Sequence, residues 1–215
     1  MHLRQYGLVL ESLRPAYLEL LRNWRNDPEI RQHMEYQAYI SPEMQHRWFT
    51  QVHTIENFYF VILESLRPVG LIHLSAVDDE TGQAGLFIGE PKYQGSTVPI
   101  RASLSLLDFA FHSLYLEYVT AKVKKDNLTA IQYNSALGFK VWKEAEHPDF
   151  YWMIVDREGY NTGAKSLKNA AALLGDPRLK LTLEGDQALD VMIENDLQRR
   201  RATLSGNSSL QIGKD

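Results

Sequence analysis

The stretch QAGLFIGEPKYQGSTVPIRASLSLLDFAFHSLYLEYVTAKVKKDN, residues 83–127, decides the fold. Residues 83–89 read as a strand, 90–97 (EPKYQGST) as a short loop, and a helix opens at Val98-Pro99 and runs to about Leu114. A second strand, 118–124, ends at Asp126-Asn127. Ile100, Leu104, Leu107, Phe111 and Leu114 recur at three or four residues, which gives the helix one buried face against a sheet. A strand that hands over through a Gly-containing loop to a helix with Pro in its first turn leaves backbone N–H groups at the positive end of a helix dipole. Such a turn is an anion cradle, or an ordinary strand-to-helix connection.

Outward from this stretch, residues 6–13 read as a first strand, and Arg14-Pro15 opens a helix over 16–24 with Leu18, Leu21 and Trp24 in a stripe. Asn26-Asp27-Pro28 breaks it, a short helix follows at 29–35, and Ser41-Pro42-Glu43 caps another that runs over 44–53. Strands at 57–64 and 69–77, with a turn at Arg67-Pro68, form an antiparallel meander that leads through a turn at 78–82 into the strand at 83–89. After a helix beginning at Asn127, segments 139–144 and 150–157 make a last hairpin. The expected fold is α+β, a mixed and mostly antiparallel central sheet flanked by helices, over residues 1–157.

From Glu158 the texture changes. Gly159, Asn161 and Gly163 mark a boundary, 164–174 is a helix that Asp176-Pro177 ends, 179–183 a short strand, and 186–200 a helix with Leu189, Ile193 and Leu197 on one face. Residues 204–215 read as disordered. Residues 158–215 are thus a small, mainly helical C-terminal appendage whose apolar stripe packs on the domain or on a second subunit, so a homodimer is one expectation.

The 215 residues, 44% of them hydrophobic, are enough for one full core. Zero cysteines exclude disulfides and a Cys nucleophile and suit a cytoplasmic protein. A net charge of −4 argues against a nucleic-acid partner, and no apolar window is long enough for a membrane span. Arg199-Arg200-Arg201, the one cationic cluster, reads as a solvated helix end. His33, His46 and His53 have no metal-ligand spacing with carboxylates, so no metal is expected.

The order strand, Tyr93-Gln94-Gly95-Ser96-Thr97-Val98-Pro99, helix, YVTAKV, Asn127-x-x-Ala130 and Leu137-Gly138-Phe139 resembles the GCN5-related N-acetyltransferases (GNAT) over roughly residues 6–156. The resemblance implies acetyl-CoA as acyl donor, with its pyrophosphate in a loop of signature Gln/Arg-x-x-Gly-x-Gly/Ala and its pantetheine along the Asn-x-x-Ala helix. Carried over, the cofactor-binding positions are Ile88, Gly89, Gln94, Gly95, Ser96, Thr97, Val98, Asn127 and Ala130. Two departures stand out: Thr97 occupies the first signature Gly and Pro99 the second, so one N–H donor is missing. The hydroxyls of Ser96 and Thr97 are candidate replacements, and Gly95 can take a positive φ.

Acetyl transfer to an amine needs a neutral amine, a donor for the thioester carbonyl and a proton for the leaving thiolate. By resemblance the donor is the Ile88-Gly89-Glu90 backbone. Glu90 is the candidate base, or a solvated rim charge; His73, on one strand face with Leu71 and Ser75, is a candidate relay or a satisfied sheet histidine. The family often has a Tyr in the helix after Asn-x-x-Ala, where this chain has Asn134 with Tyr133 one residue before. One residue turns a helical side chain by about 100°, so Tyr133 is either the acid or core, Asn134 is a hydrogen-bonding replacement, and solvent protonation stays open.

On the acceptor side, the run Asn23-Trp24-Arg25-Asn26-Asp27-Pro28-Glu29-Ile30-Arg31, with His33-Met34 and Ile40-Ser41-Pro42-Glu43, resembles the branch of the ribosomal-protein N-terminal acetyltransferases. Within it the chain looks most like nucleotide-amino-sugar N-acetyltransferases of the pseudaminic acid type. Trp24, Tyr36, Tyr39 and Trp48 offer stacking surfaces and Arg25, Arg31 and Arg47 cations for a diphosphate, while Trp24 and Trp48 also fit a helix-packing role. The partner expected is a small-molecule amine, foremost the amino group of a nucleotide-linked sugar. The alternatives are a protein N-terminus or another small amine, and a degenerate protein that binds acyl-CoA without turnover.

Overall fold

A computed structural model describes residues 1–183 and 188–209. The strands are β1 (His2–Gln5), β2 (Leu8–Ser12), β3 (Phe58–Glu64), β4 (Arg67–Ser75), β5 (Thr81–Ile88), β6 (Tyr118–Lys124), β7 (Lys140–Glu144), β8 (Phe150–Asp156) and β9 (Lys180–Thr182). They form one sheet in the order β7-β8-β6-β5-β4-β3-β2-β1-β9. Every neighbouring pair is antiparallel except β5 with β6, the pair joined by the stretch that opened the sequence reading. The expected mixed, mostly antiparallel architecture is therefore the observed one.

Helices cover both faces. On one face lies α4 (Val98–His112), whose two flanks are so enclosed that Arg101, Ser103, Ser105 and Asp108 are buried along with its apolar residues. It packs on Phe58, Phe60, Ile62, Ile72 and Leu74 in the main core. On the other face α1 (Leu18–Asn26), α2 (Pro28–Arg31) and α3 (Pro42–Val52) enclose a second core of Leu18, Leu21, Trp24, Ile30, Val61, Leu63 and Leu71. The cap at Ser41 is as expected: its hydroxyl accepts the Met44 N–H at 3.2 Å.

Four local readings are corrected. The first strand is a hairpin, because Tyr6 (φ 51°) and Gly7 (φ 77°) form a tight left-handed turn between β1 and β2. The β3–β4 turn is Ser65-Leu66, both at positive φ, and Arg67 and Pro68 lie within β4 beside a register shift at Ile62/Leu63. Gly159, Asn161 and Gly163, read as marking a boundary, lie within a helix, α6 (Arg157–Gly163). A Cβ on Gly163 would fall 2.7 Å from Gly138 Cα, and one on Gly138, itself at φ 97°, 2.3 Å from Gly159 O, so these two glycines allow α6 to approach the turn that follows α5 (Leu128–Ala136). The final helix, α8 (Ala188–Ser209), includes residues 204–209, read as disordered; 186–187 and 210–215 lie outside the described residues.

Residues beyond Asp156 are tied to the sheet by a buried polar knot. The Asp108 carboxylate on α4 accepts from Gln5 Nε2 (2.7 Å), from the Tyr160 hydroxyl (2.8 Å) and from Lys168 Nζ (3.1 Å) on α7 (Lys165–Ala172). Tyr160 also bonds the Leu104 carbonyl at 3.0 Å and stacks on Phe111. A buried charge needs such a complete set of donors. Tyr160→Phe removes one of them, and the expected loss of stability is about 1–3 kcal/mol by urea unfolding, with the helical signal of the folded protein unchanged.

Candidate active site

The site begins where the parallel pair comes apart. β5 and β6 are paired only from Thr81↔Tyr118 to Ala84↔Ala121; beyond that β5 continues on β4 alone and β6 on β8 alone. The Gly89 N–H bonds Val69 O at 2.9 Å, and antiparallel alternation then turns the N–H and C=O of Leu86 and Ile88 away from β4, toward the gap. Glu90 N–H also goes to Val69 O, at 3.1 Å. Of the three backbone positions expected to hold a thioester carbonyl, Ile88 is the one whose N–H has no partner strand among the described residues; Gly89 and Glu90 are engaged.

The loop at the mouth of the gap fits an anion. Gly95 has φ 72° with open space where a Cβ would stand, and Thr97 is the exposed residue preceding α4. Among the described residues no acceptor takes the N–H groups of Gly95, Thr97 and Ile100, and the Thr97 side chain makes no capping bond. Three N–H groups and a hydroxyl at the start of a 15-residue helix fit a pyrophosphate despite the missing N–H of Pro99. Ser96 does not supply a replacement donor: its hydroxyl donates to Tyr93 O (2.7 Å) and accepts from Val98 N–H (3.2 Å). Gln94 is exposed at the same mouth.

Helix α5 forms the far wall. Asn127 caps it through the Ala130 N–H (3.0 Å). The Tyr133 hydroxyl donates to Pro99 O (2.8 Å) and meets Ser103 Oγ (2.7 Å), and burial pushes its pKa well above the ordinary value. It is a strut between α5 and the first turn of α4. Asn134 donates to Ala130 O at 2.9 Å, which leaves its amide oxygen open.

Across the sheet, on the face covered by α1–α3, the cross-strand register Tyr59↔His73↔Gly85 brings three residues to the point where β6 leaves β5. The Tyr59 and His73 rings stack at 4.7 Å, Trp48 stands edge-on to Tyr59 at 5.1 Å, and the imidazole lies where a Gly85 Cβ would be. Burial, and then the charge of Arg25, push the His73 pKa down to about 4, so the ring is neutral at physiological pH. Arg25 is largely buried next to Tyr59 and His73; its Nε has no hydrogen-bond partner, and no carboxylate pairs with it among the described residues. Further along β5, Trp24 meets Phe87 edge to face and donates its indole N–H to Glu90 Oε1 at 3.3 Å. Trp24 is buried, so it is no open stacking surface.

Arg31 and Tyr36, on α2 and the loop after it, make no side-chain hydrogen bond or ring contact among the described residues; Tyr36 is half exposed. The sequence reading missed Lys122 and Tyr59. Lys122 bonds Glu35 at 2.7 Å and lies 5.6 Å from the Trp152 ring, which closes this side of the gap. Its place on the alternating face of β6, opposite Val119, Ala121 and Val123, was the available signal.

A family profile described as an acetyltransferase (GNAT) domain matches residues 7–140. Acetyltransferase PseH of Campylobacter jejuni (strain 81-176) is 27% identical over 141 residues, which cover 65% of this chain and 86% of that protein. Among solved structures, spermidine N-acetyltransferase from Vibrio cholerae in complex with CoA and spermine gives a TM-score of 0.62 at 18% identity, over 72% of this chain and 98% of that one. Campylobacter jejuni PseH in complex with acetyl coenzyme A gives 0.55 at 21%, over 70% and 99%. At these identities the solved structures speak for the fold.

His73 carries a pH signature. Its pKa is about 4 folded against 6.5 unfolded, so the folded state is fully favoured above pH 6.5 and loses that contribution as pH falls toward 4. Urea unfolding should show His73→Asn losing less stability than the native protein between pH 7 and pH 4, by on the order of 3 kcal/mol; parallel curves would refute it.

Proposed function

The chain belongs to the acetyltransferase (GNAT) family, and from that premise we propose that this N-acetyltransferase acts on the amino group of a nucleotide-linked amino sugar, with acetyl-CoA as donor. The observation that carries the choice of acceptor is Arg25. A largely buried guanidinium without a carboxylate partner is unfavourable unless a ligand brings the counter-charge. A diphosphate does so in bidentate fashion; a polyamine brings more positive charge.

In this reading the thioester carbonyl takes the Ile88 N–H, and the pantetheine follows the open edge of β5 against α5. The pyrophosphate sits on the N–H groups of Gly95, Thr97 and Ile100. The amine enters from the α1–α3 side and gives its proton to Glu90, directly or through a water, as its nitrogen forms the bond to the acetyl carbon. The C–S bond breaks, and the thiolate is protonated by solvent, with the Asn134 amide nearby on α5. His73, neutral and enclosed, shapes the floor of the acceptor side and does not relay the proton. No enzyme-bound acyl group is formed.

Calorimetric titration should give micromolar binding of acetyl-CoA; absence of heat would leave a protein that has lost the donor and overturn the enzyme reading of the loop. Pro99→Ala restores an N–H to the cradle and should tighten acetyl-CoA about three- to tenfold. With a UDP-linked 4-amino sugar, spermidine and a peptide with a free N-terminus offered in parallel, turnover is expected on the sugar. Arg25→Ala should raise its KM by about tenfold or more while kcat changes little. Preference for spermidine, with Arg25→Ala improving it, would sink the nucleotide-sugar assignment.

A further inference from the structure

Trp24 is set apart by where it touches the sheet. It rises from α1, more than sixty residues before β5 ends, and its indole covers the Gly89 backbone: a Cβ on Gly89 would fall 2.0 to 2.4 Å from Cδ2, Cε2 and Cγ of the ring. Gly89 is therefore the residue that lets an aromatic plane lie on the end of β5. On the far side of that contact the indole N–H reaches Glu90 Oε1, and Phe87, two residues before Gly89, holds the ring edge to face at 6.4 Å. Glu90 gets nothing comparable from its own neighbours: the 3-10 turn Pro91–Tyr93 that follows starts without a side-chain capping bond from it. A half-buried carboxylate on a strand terminus has several rotamers, and the indole N–H is the donor that selects one.

We infer that Trp24 is a positioning residue of acetyl transfer, which lies against the Gly89 backbone and aims the Glu90 carboxylate at the acceptor amine through its indole N–H. This rests on the reading of Glu90 as base. It also assigns α1 a task other than stacking on a nucleotide: the helix that carries Arg25 toward the acceptor carries, one residue earlier, the group that sets the base. Binding the acceptor and orienting the base are thus mechanically one element.

The test is a double-mutant cycle on kcat with acetyl-CoA and the best amine of the panel above. Trp24→Phe keeps an aromatic ring and removes the N–H. It should lower kcat by about tenfold with little change in acetyl-CoA affinity, a loss of one hydrogen bond to a charged group. In the Glu90→Gln background the same substitution should have almost no further effect. Equal losses in both backgrounds would overturn the inference and leave Trp24 as packing alone. Should Glu90→Gln be as fast as the native protein, the base assignment falls, and the inference with it. If Trp24→Phe does not fold, Glu90→Ala in a ¹⁵N-labelled protein reads the same bond. One of the four tryptophan indole N–H resonances should move, the one left after Trp48→Phe, Trp142→Phe and Trp152→Phe have each removed their own; four unmoved resonances refute the contact.

Discussion

Everything in the site follows from a parallel pair that stays together for four residue positions and then parts. A parallel ladder is slanted and evenly spaced, so its interruption leaves regularly spaced backbone donors and acceptors on the exposed strand. Here they belong to Leu86 and Ile88, and among the described residues no strand pairs with them, because β6 has turned to β8 and β5 has stayed on β4. In a closed sheet such groups are a liability. In this one they face the gap between the parted strands. The gap needs rigid sides, and the two cores provide them: α4 on one face, with the Tyr133 hydroxyl fastening α5 to its first turn, and α1–α3 on the other.

The two faces differ in chemistry. Beside α4 the gap meets free N–H groups at a helix start, which suits an anion held by many weak donors. Beside α1–α3 it meets aromatic rings and a guanidinium in a confined space, where a single charge weighs far more than it does at the surface. In the proposed reaction, donor and acceptor would thus be recognised by unlike means, the first by backbone and the second by side chains.

How much of this was legible depended on sequence distance. Residues 83–127 declared their strand, helix and strand because Pro99 and the spacing of Ile100, Leu104, Leu107 and Phe111 are local signals. The turns at Tyr6-Gly7 and Ser65-Leu66 were hidden, since Tyr, Ser and Leu rarely take positive φ and no Asn-Gly pair announces them. Gly163 resembled punctuation because the backbone that demands it, at Gly138, is distant in the chain. The same holds at the site. Glu90 and the cradle could be read from the strand-to-helix turn, whereas the contact of Trp24 with Gly89 and the stack of Tyr59 on His73 exist only once strands and helices are in register. At Tyr133 the helix phase sets the surroundings: its hydroxyl meets Pro99 O and Ser103 Oγ of α4.

The pairing of β9 with β1 bears on how such a chain is made. Leu3 lies opposite Leu181, so β1 has, on one side, a neighbour that leaves the ribosome only after about 180 further residues have been made. Until then β1 is an uncovered sheet edge, and Gln5, which reaches both Asp108 and the Pro177 carbonyl, has only half of its partners. High contact order of this kind slows folding and prolongs exposure of a sticky edge. Nascent chains of this protein thus have a window, set by translation speed, in which an early strand is open to pairing with the wrong neighbour, including β1 of another nascent chain on the same message.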